Sequence, residues 1–193
     1  MTKLTFSSQL SLDGFMEGPG GAMDWFAPDD PWEWERQFRT LESVDAVLMG
    51  RGMYSGYTGY WSAVLAEPGR YSADELRYAR WAERTPHLLF SRTMKRADWG
   101  STTVVAGELK DEVRALKANP GKGLIVFGGA SFARALIDAG LVDEYYFVVN
   151  PVLLGGGKSP FHGLSRRRLK LEQAETSAHG TVLLRYVNAE EER

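Results

Sequence analysis

The residues of this chain with the clearest chemical potential are two glycines that follow an apolar run and open a helical pattern. In Ile125-Val126-Phe127-Gly128-Gly129-Ala130-Ser131-Phe132, a strand-like run passes through the glycines into helical spacing. Glycine lets backbone N–H groups approach an anion, and a helix N-terminus adds partial positive charge. We therefore predict a pyrophosphate-binding turn. A plain tight turn is the alternative, because the spacing differs from the GxGxxG of dinucleotide-binding domains.

Two further strand-like runs end in residues suited to phosphate. Val47-Leu48-Met49-Gly50-Arg51 places glycine and arginine at a helix start, and arginine offers phosphate a planar fork of donors. Leu88-Leu89-Phe90-Ser91-Arg92-Thr93 ends in two hydroxyl side chains and an arginine. Because ligands of open α/β sheets collect at the carboxyl ends of the strands, we expect the three segments to serve one ligand.

The elements that must position these residues alternate along the chain. Apolar runs span 4–10, 44–49, 87–90, 103–106, 124–127 and 145–149, and helical patterns span 32–41, 73–83, 108–117 and 131–139. Residues 168–176 and 181–187 flank a Ser-Ala-His-Gly turn, which is typical of an antiparallel hairpin. This order predicts an α/β fold, with a mostly parallel central sheet flanked by helices and an antiparallel C-terminal hairpin, in a single domain over residues 1–193.

Composition excludes several functions. The chain has no cysteine and three histidines, which argues against a metal site, and its net charge of −2 argues against nucleic-acid and anionic-membrane partners. No apolar run reaches the roughly 20 residues of a membrane span, and the N-terminus lacks the pattern of a signal peptide. We therefore expect a cytoplasmic protein. His87, His162 and His179 are each expected at the surface, and for His162, which follows Gly155–Gly157 and Phe161, the alternative is a position at the mouth of the ligand pocket.

Five strings in order carry a resemblance: Ser11-Leu12-Asp13-Gly14-Phe15, Asp45-Ala46-Val47-Leu48-Met49-Gly50-Arg51, Gly128-Gly129-Ala130, Gly140-Leu141-Val142-Asp143-Glu144 and Pro151-Val152-Leu153-Leu154-Gly155-Gly156-Gly157. Together they resemble the dihydrofolate reductase-like family. The resemblance is strongest to the RibD C-terminal domain, the reductase half of the riboflavin-pathway deaminase-reductase, and covers residues 3–187. It implies a dihydrofolate reductase-like fold, NADPH as cofactor and a homodimer. The apolar segment 145–154, which we expect near the sheet edge, also favours a homodimer.

The resemblance also implies roles for individual residues. The adenosine 2′-phosphate of NADPH would lie near Gly50, Arg51, Ser91, Arg92 and Thr93, and its pyrophosphate near Gly128, Gly129, Ala130, Ser131 and Phe132. The nicotinamide and the substrate would be bordered by Gly14, Trp25, Leu154, Gly155 and Gly156. Trp25 follows Gly20-Gly21-Ala22-Met23-Asp24, which we interpret as a mobile lid. Phe26, Trp32 and Trp34 are expected to pack the helix on the sheet, with stacking on a flat heterocycle as the alternative.

Three differences from the family bear on which substrate the chain is expected to reduce. The chain shows no deaminase half with its His/Cys zinc signature, so paired deamination is not expected. Phe6-Ser7-Ser8 stands where riboflavin enzymes carry a lysine before Ser-Leu-Asp-Gly, which weakens recognition of a ribosyl phosphate. Dihydrofolate reductases hold the pterin with one acid on the first helix, and the corresponding region here offers Asp29, Asp30, Glu33 and Glu35, of which Glu33 aligns best.

Reduction of a C=N or C=O bond needs a proton as well as a hydride. An acid whose pKa is raised by burial can supply it, and the candidates in order are Glu33, Asp13 and Asp24. We thus expect an NADPH-dependent oxidoreductase that resembles 5-amino-6-(5-phosphoribosylamino)uracil reductase of riboflavin biosynthesis. The alternatives are a reductase of dihydrofolate or another pteridine, and a non-catalytic NADPH-binding dimeric protein.

Overall fold

The computed structural model describes residues 1–26 and 30–189, and these form two compact units. Unit 1 comprises Met1–Thr2 and Pro31–Ile125, and unit 2 comprises Lys3–Asp30 and Val126–Arg193. Both units combine strands and helices, and unit 2 ends in three consecutive strands. That residues 1–193 form a single domain stays a prediction.

Unit 1 is built from parallel strands and four helices. Its elements are α1 (Pro31–Leu41), β2 (Ala46–Gly50), α2 (Arg51–Ala66), α3 (Ala73–Arg84), β3 (His87–Phe90), β4 (Thr102–Val105), α4 (Leu109–Ala118) and β5 (Leu124–Val126), whose last residue belongs to unit 2. The strand order is β4-β3-β2-β5, with β2–β3 and β3–β4 parallel. All five residues of β2 are buried, which explains its continuous apolar sequence.

The sequence explains where α3 begins but does not reveal the span of α2. Ser72 and Glu75 form a capping box that starts α3, since the Ser72 hydroxyl accepts from the Glu75 amide and the Glu75 carboxylate from the Ser72 amide. For α2 the sequence indicates a helix start at Arg51 but gives no span. Gly52, Gly56 and Gly59 lie within this helix, where glycine lowers intrinsic helix propensity and hides the pattern.

One histidine expectation is wrong, because His87 is buried in unit 1. Its Nδ1 lies 2.7 Å from the carbonyl oxygen of Thr85, and its Nε2 lies 3.4 Å from the hydroxyl of Tyr57. The Tyr57 hydroxyl in turn lies 3.0 Å from that of Tyr78. Burial lowers the pKa of His87, so the ring is neutral at physiological pH and serves as a hydrogen-bonded core residue.

Unit 2 combines one parallel strand pair with an antiparallel hairpin. Its elements are β1 (Leu4–Ser11), α5 (Ala130–Asp138), β6 (Glu144–Asn150), β7 (Leu169–Thr176) and β8 (Val182–Asn188), with the strand order β1-β6-β8-β7. The β1–β6 pair is parallel, and β8 is antiparallel to both β6 and β7. The predicted fold class, a mostly parallel α/β sheet with an antiparallel C-terminal hairpin, is confirmed.

The position of β6 has a consequence for assembly. This strand pairs with β1 on one side and β8 on the other, so it is an interior strand. The exposed strand edge of unit 2 belongs to β7, on which Leu169 and Leu171 are 37% and 49% exposed.

No helix in the described part of the chain is long and apolar enough to cross a membrane.

Candidate functional site

In unit 2, the parallel pairing of β1 and β6 brings two loops to the same strand ends. Ser11 and Asn150 are register partners at the carboxyl ends of the two strands, so the segments 12–18 and 151–158 leave side by side. The Leu12 amide donates to the Val152 carbonyl over 2.8 Å, and the Met16 amide donates to the Lys158 carbonyl over 2.8 Å. The two loops are therefore held together by their backbones.

Asp13 adds a side-chain contact between the same loops. Its carboxylate accepts from the Ser11 hydroxyl over 2.7 Å and from the amides of Leu154 and Gly155 over 3.1 and 2.8 Å. The Ser11 hydrogen bond, helped by the two amides, lowers the pKa of Asp13, and the side chain is exposed. The condition for a proton donor, a pKa raised by burial, is not met. Asp13 is an ionised residue that positions the loops.

Glycines permit the close approach of these loops. Gly14 adopts φ +82 in the turn closed by its amide and the Ser11 carbonyl, and Gly155 adopts φ +67. Gly157 has φ +125, and a Cβ there would lie 1.9 Å from the Glu17 carbonyl oxygen. Gly156 is less constrained, since its Cβ would meet only Pro19 at 3.9 Å. The predicted substrate-side residues Gly14, Leu154, Gly155 and Gly156 thus lie on two joined loops.

The start of α5 is arranged as the predicted phosphate turn requires. Gly129 precedes the helix in the left-handed conformation at φ 76, and no side chain caps the helix N-terminus. The first-turn amides of such a helix carry partial positive charge and are suited to an anion. The segment from Gly128 to Phe132 therefore has the geometry for this role, and the Gly129 conformation strongly favours glycine.

A cleft of about 260 Å³ opens beside this helix start. Its lining joins the first turn of α5 to the loop after β6: Phe15, Ala130, Ser131, Arg134, Gly157, Lys158, Ser159 and His162. Arg134 and Lys158 bring cationic side chains to this wall, and each also forms an ion pair, Arg134 with Asp138 at 3.6 Å and Lys158 with Glu17 at 2.6 Å. Sequence reasoning did not assign Arg134 or Lys158 to the site, because neither lies in a glycine-containing string at a strand end.

In unit 1, the register of β2 and β3 brings two predicted phosphate contacts to one edge. Gly50 pairs with Phe90, so Arg51 and Ser91 follow neighbouring strands at their carboxyl ends. Arg51 is the first residue of α2, which has no side-chain cap. A positive charge in the first turn of a helix opposes the helix dipole, so an exposed arginine here favours binding of an anion.

The segment after β3 is more constrained than the sequence indicated. The hydroxyl of Ser91, a buried residue, accepts from the amides of Thr93 and Met94 over 3.3 and 3.0 Å and thereby shapes the turn. Arg92 forms an ion pair with Glu108 at 2.5 Å between two exposed side chains. Any phosphate at Arg92 has to compete with this carboxylate.

The remaining predicted residues belong to both units. Glu33 lies half-buried in the first turn of α1 in unit 1, and Asp24 is exposed in unit 2. Trp25 is half-buried in unit 2, and its indole N–H donates to the Ala22 carbonyl over 3.0 Å. Asp29 lies outside the described residues. Among the residues described, no group of three histidine or carboxylate side chains is suited to a metal ion.

The expected packing role holds in part: Trp32 and Trp34 of α1 are half-buried, whereas Phe26 is 37% exposed. Trp34 stacks on Phe38 with ring centroids 5.7 Å apart and also contacts Tyr78 of α3. Trp32 carries the guanidinium of Arg36 over its ring at 4.0 Å. These contacts are internal to unit 1 and hold α1 on its neighbours.

A family model described as the RibD C-terminal domain matches residues 2–184 of this chain. Among solved structures, a riboflavin biosynthesis protein from Shewanella sp. PV-4 is similar, with a TM-score of 0.72 and 24% identity over 98% of this chain and all of that one. The deaminase/5-amino-6-(5-phosphoribosylamino)uracil reductase of Thermotoga maritima has a TM-score of 0.66 at 15% identity, over 97% of this chain and 57% of its own.

The dihydrofolate reductase of Enterococcus faecalis, solved in complex with NADP(H), also has this fold. Its TM-score is 0.60 at 12% identity, and the match covers 97% of both chains. The predicted dihydrofolate reductase-like architecture and the resemblance to the RibD C-terminal domain are both confirmed by these matches.

Proposed function

The chain belongs to the RibD C-terminal domain family, and on that premise we propose that it is an NADPH-dependent reductase that transfers a hydride to a small heterocyclic substrate. The structural neighbours include a uracil reductase and a dihydrofolate reductase bound to NADP(H). The assignment of this cofactor rests on the start of α5, which no side chain caps and which follows Gly129 in the left-handed conformation. Donors arranged in this way fit a pyrophosphate.

The basic residues of unit 2 support the same assignment. Arg134, Lys158 and His162 line the cleft beside the first turn of α5, and Ser131 adds a hydroxyl. The Ser131 hydroxyl and the Arg134 and Lys158 side chains offer hydrogen-bond donors to an anionic ligand, which has to compete with Asp138 and Glu17 for the two cations, paired at 3.6 and 2.6 Å. We assign the pyrophosphate to residues Gly128 to Phe132, with the cleft residues as further donors.

The choice of NADPH over NADH rests on unit 1. Arg51 is exposed and makes no ion pair with any residue in the described part of the chain, so its guanidinium is available to a 2′-phosphate. Arg92 is the weaker contributor because Glu108 already neutralises it. Gly50, Ser91 and Thr93 shape the turns that present these two arginines.

When bound, NADPH supplies the hydride from its nicotinamide ring. The residues of the chain then have to hold the substrate, exclude water and provide a proton. The joined loops with Gly14, Leu154, Gly155 and Gly156, together with Trp25, would form the substrate wall in unit 2. Asp13 orients this wall as an ionised carboxylate. We keep Glu33 as the acid, with a water molecule as the alternative source of the proton.

The substrate class is narrowed by the first strand. Phe6 of β1 is fully buried and contacts Phe147 edge-on at 5.4 Å, so it is a core residue in the stretch where riboflavin enzymes carry a lysine. No cation from this stretch is therefore present to meet a ribosyl phosphate. This favours a heterocycle without a phosphate group, such as a pteridine, as the alternative to the phosphoribosylaminouracil of the Thermotoga enzyme.

We also propose a homodimer, with β7 rather than β6 as the strand at the interface. The segment 145–154 was expected to lie near the sheet edge, but β6 is an interior strand and cannot pair with a second copy. The available edge is β7, whose Leu169 and Leu171 are exposed. Exposed apolar residues on an edge strand are suited to pairing with a partner strand.

The test of the proposed activity is NADPH consumption, followed by absorbance, with dihydrofolate and with the phosphoribosylaminouracil in parallel. We expect oxidation of NADPH with at least one of them, and a much lower rate with NADH. Gly129→Asp serves as the control, because its carboxylate would occupy the position proposed for the pyrophosphate. Binding of NADPH without turnover of any heterocycle would favour the non-catalytic alternative, and absence of NADPH binding would exclude both.

A further inference from the structure

Unit 1 contains an open groove that the proposed reductase function does not use. Its volume is about 700 Å³, and its lining comes from α3 and from the residues just before β2 and β3: Val44, Asp45, Ala73, Leu76, Arg77, Arg80, Trp81, Arg84, Thr85 and Pro86. Because these residues precede the two strands, the groove lies at the amino ends of β2 and β3. Arg51 and Ser91 follow the carboxyl ends of the same strands, so they belong to the opposite edge of unit 1.

The wall contributed by α3 is strongly basic. Arg77, Arg80 and Arg84 recur at intervals of three and four residues and therefore share one face of the helix. The guanidinium of Arg77 lies 3.7 Å from the centre of the Phe38 ring, which fixes its position. Arg80 and Arg84 are exposed and form no ion pair with any residue of segments 1–26 and 30–189.

The carboxylate in the groove does not neutralise these arginines. Asp45 accepts a hydrogen bond from the backbone amide of Lys122, and its own amide donates to the Gly123 carbonyl over 2.8 Å. Like charges three or four positions apart on a helix repel one another and weaken it. Three arginines on one face of α3 therefore cost stability unless an anion is bound between them.

The apolar part of the groove indicates what kind of anion fits. Trp81 is half-buried, and it shares the wall with Leu76 and Pro86. Guanidinium groups bind phosphate through paired hydrogen bonds, and both indole and guanidinium planes stack on aromatic rings. A volume of about 700 Å³ lies in the range of small-ligand sites.

We propose that this groove is a second binding site for a phosphorylated aromatic compound of mononucleotide size. The phosphate lies between Arg80 and Arg84, and the ring lies against Trp81. The site is separate from the residues assigned to NADPH, so it does not depend on the proposed reductase function. A ligand bound there would stabilise unit 1 by relieving the repulsion along α3.

The experiment is calorimetric titration of the full chain with 5′-GMP, with guanosine as the probe that lacks the phosphate. The variants are Arg80→Ala/Arg84→Ala and, as a matched control, Arg114→Ala, which removes an exposed arginine from α4. We expect 5′-GMP to bind the wild type, guanosine to bind much more weakly, and the double variant to lose about tenfold in affinity. Arg114→Ala and Arg51→Ala should bind 5′-GMP like the wild type.

Two results would overturn the proposal. The first is absence of 5′-GMP binding, including the case in which a hexaglutamate peptide binds instead and indicates an acidic protein as the occupant. The second is binding that persists in Arg80→Ala/Arg84→Ala or is lost in Arg51→Ala, which would place the nucleotide at the residues proposed for the cofactor. NADPH affinity of the double variant, measured in parallel, reports separately on the reductase proposal.

Discussion

The carboxylate of Asp13 accepts a hydrogen bond from the backbone amide of Gly155 over 2.8 Å, which joins the loop after β1 to the loop after β6. Ser11 supports this contact, because its hydroxyl donates to Asp13 and accepts from the amide of Phe15 over 2.9 Å. The string Ser-Leu-Asp-Gly is thus a structural connection between the two loops that we assign to the substrate. The lowered pKa of Asp13 keeps its carboxylate ionised, so we do not assign Asp13 as the proton donor.

The first prediction concerns the pH dependence of Asp13→Asn. The pKa of Asp13 is lowered in the folded state, so its contribution to stability is present above the usual value of 3.8 and is lost as the pH falls through the lower folded pKa. Between pH 5 and 9 its charge does not change. We expect Asp13→Asn to raise KM for the heterocycle while the pH profile of kcat keeps its wild-type shape. Loss of one limb of that profile would identify Asp13 as the proton donor after all.

The second prediction uses two adjacent glycines. Gly157→Ala places a Cβ 1.9 Å from the Glu17 carbonyl oxygen at φ +125, so the connection between the two loops has to open. We expect a loss of about 2–4 kcal/mol in the free energy of unfolding, measured with urea. Gly156→Ala is the matched control, since its Cβ meets only Pro19 at 3.9 Å, and its effect should stay within about 0.5 kcal/mol. Equal losses in both variants would contradict this account of the loop.

The third prediction concerns cofactor choice. A charge-assisted hydrogen bond contributes about 1.5–3 kcal/mol, so Arg51→Ala should weaken NADPH binding by about one to two orders of magnitude. NADH lacks the 2′-phosphate, and its affinity should change little. Nucleotide titrations of both forms measure the difference. Equal losses for NADPH and NADH would show that Arg51 contacts the shared part of the cofactor or supports only the fold.

The same titration can compare Arg92, which is paired with Glu108, with Arg51, which is unpaired among the described residues. Arg92→Ala should weaken NADPH binding less than Arg51→Ala, because the Arg92 side chain is 72% exposed and already paired with Glu108. Glu108→Gln frees Arg92 and should tighten NADPH binding by a few fold, which is the range of an exposed ion pair of about 0.2–1 kcal/mol.

The fourth prediction concerns the dimer. Light scattering at micromolar concentration should give twice the 21.5 kDa mass of the chain. Leu171→Lys places a charge on the exposed edge strand β7 and should yield folded monomers, with the circular dichroism spectrum of the wild type. A monomeric wild type would remove the proposal, and a dimeric Leu171→Lys variant would place the interface away from β7.

The sequence pattern predicted most of the secondary structure because buried strands and amphipathic helices have distinct periods. His87–Phe90 was predicted at its exact bounds, and β1 and β6 were predicted within a residue or so of theirs. The span of α2 was missed because glycine dilutes its helical pattern. The burial of His87 was missed because Tyr57, 30 positions away, becomes its neighbour only in the folded chain.

The candidate site was less predictable, since pKa values and ion pairs depend on tertiary contacts. The string that contains Asp13 marked a functional loop, but only the structure shows that Ser11, Leu154 and Gly155 keep its carboxylate ionised. Arg92 was expected to face a phosphate, and its pairing with Glu108, 16 positions away, has no local sequence signal. A turn at Gly128-Gly129 was predictable because a strand that turns sharply into a helix favours glycine, and Gly129 has φ 76; its role in binding pyrophosphate stays a prediction.

The most direct test of the central claim is titration of NADPH into the wild type and two variants of Gly129. Gly129→Asp puts a carboxylate at the helix start proposed for the pyrophosphate, and Gly129→Asn introduces a similar side chain without the charge at a position where asparagine tolerates the left-handed conformation. We predict that the wild type binds NADPH more tightly than NADH, that Gly129→Asp abolishes NADPH binding, and that Gly129→Asn retains part of it. NADPH affinity unchanged in a folded Gly129→Asp variant would contradict the account.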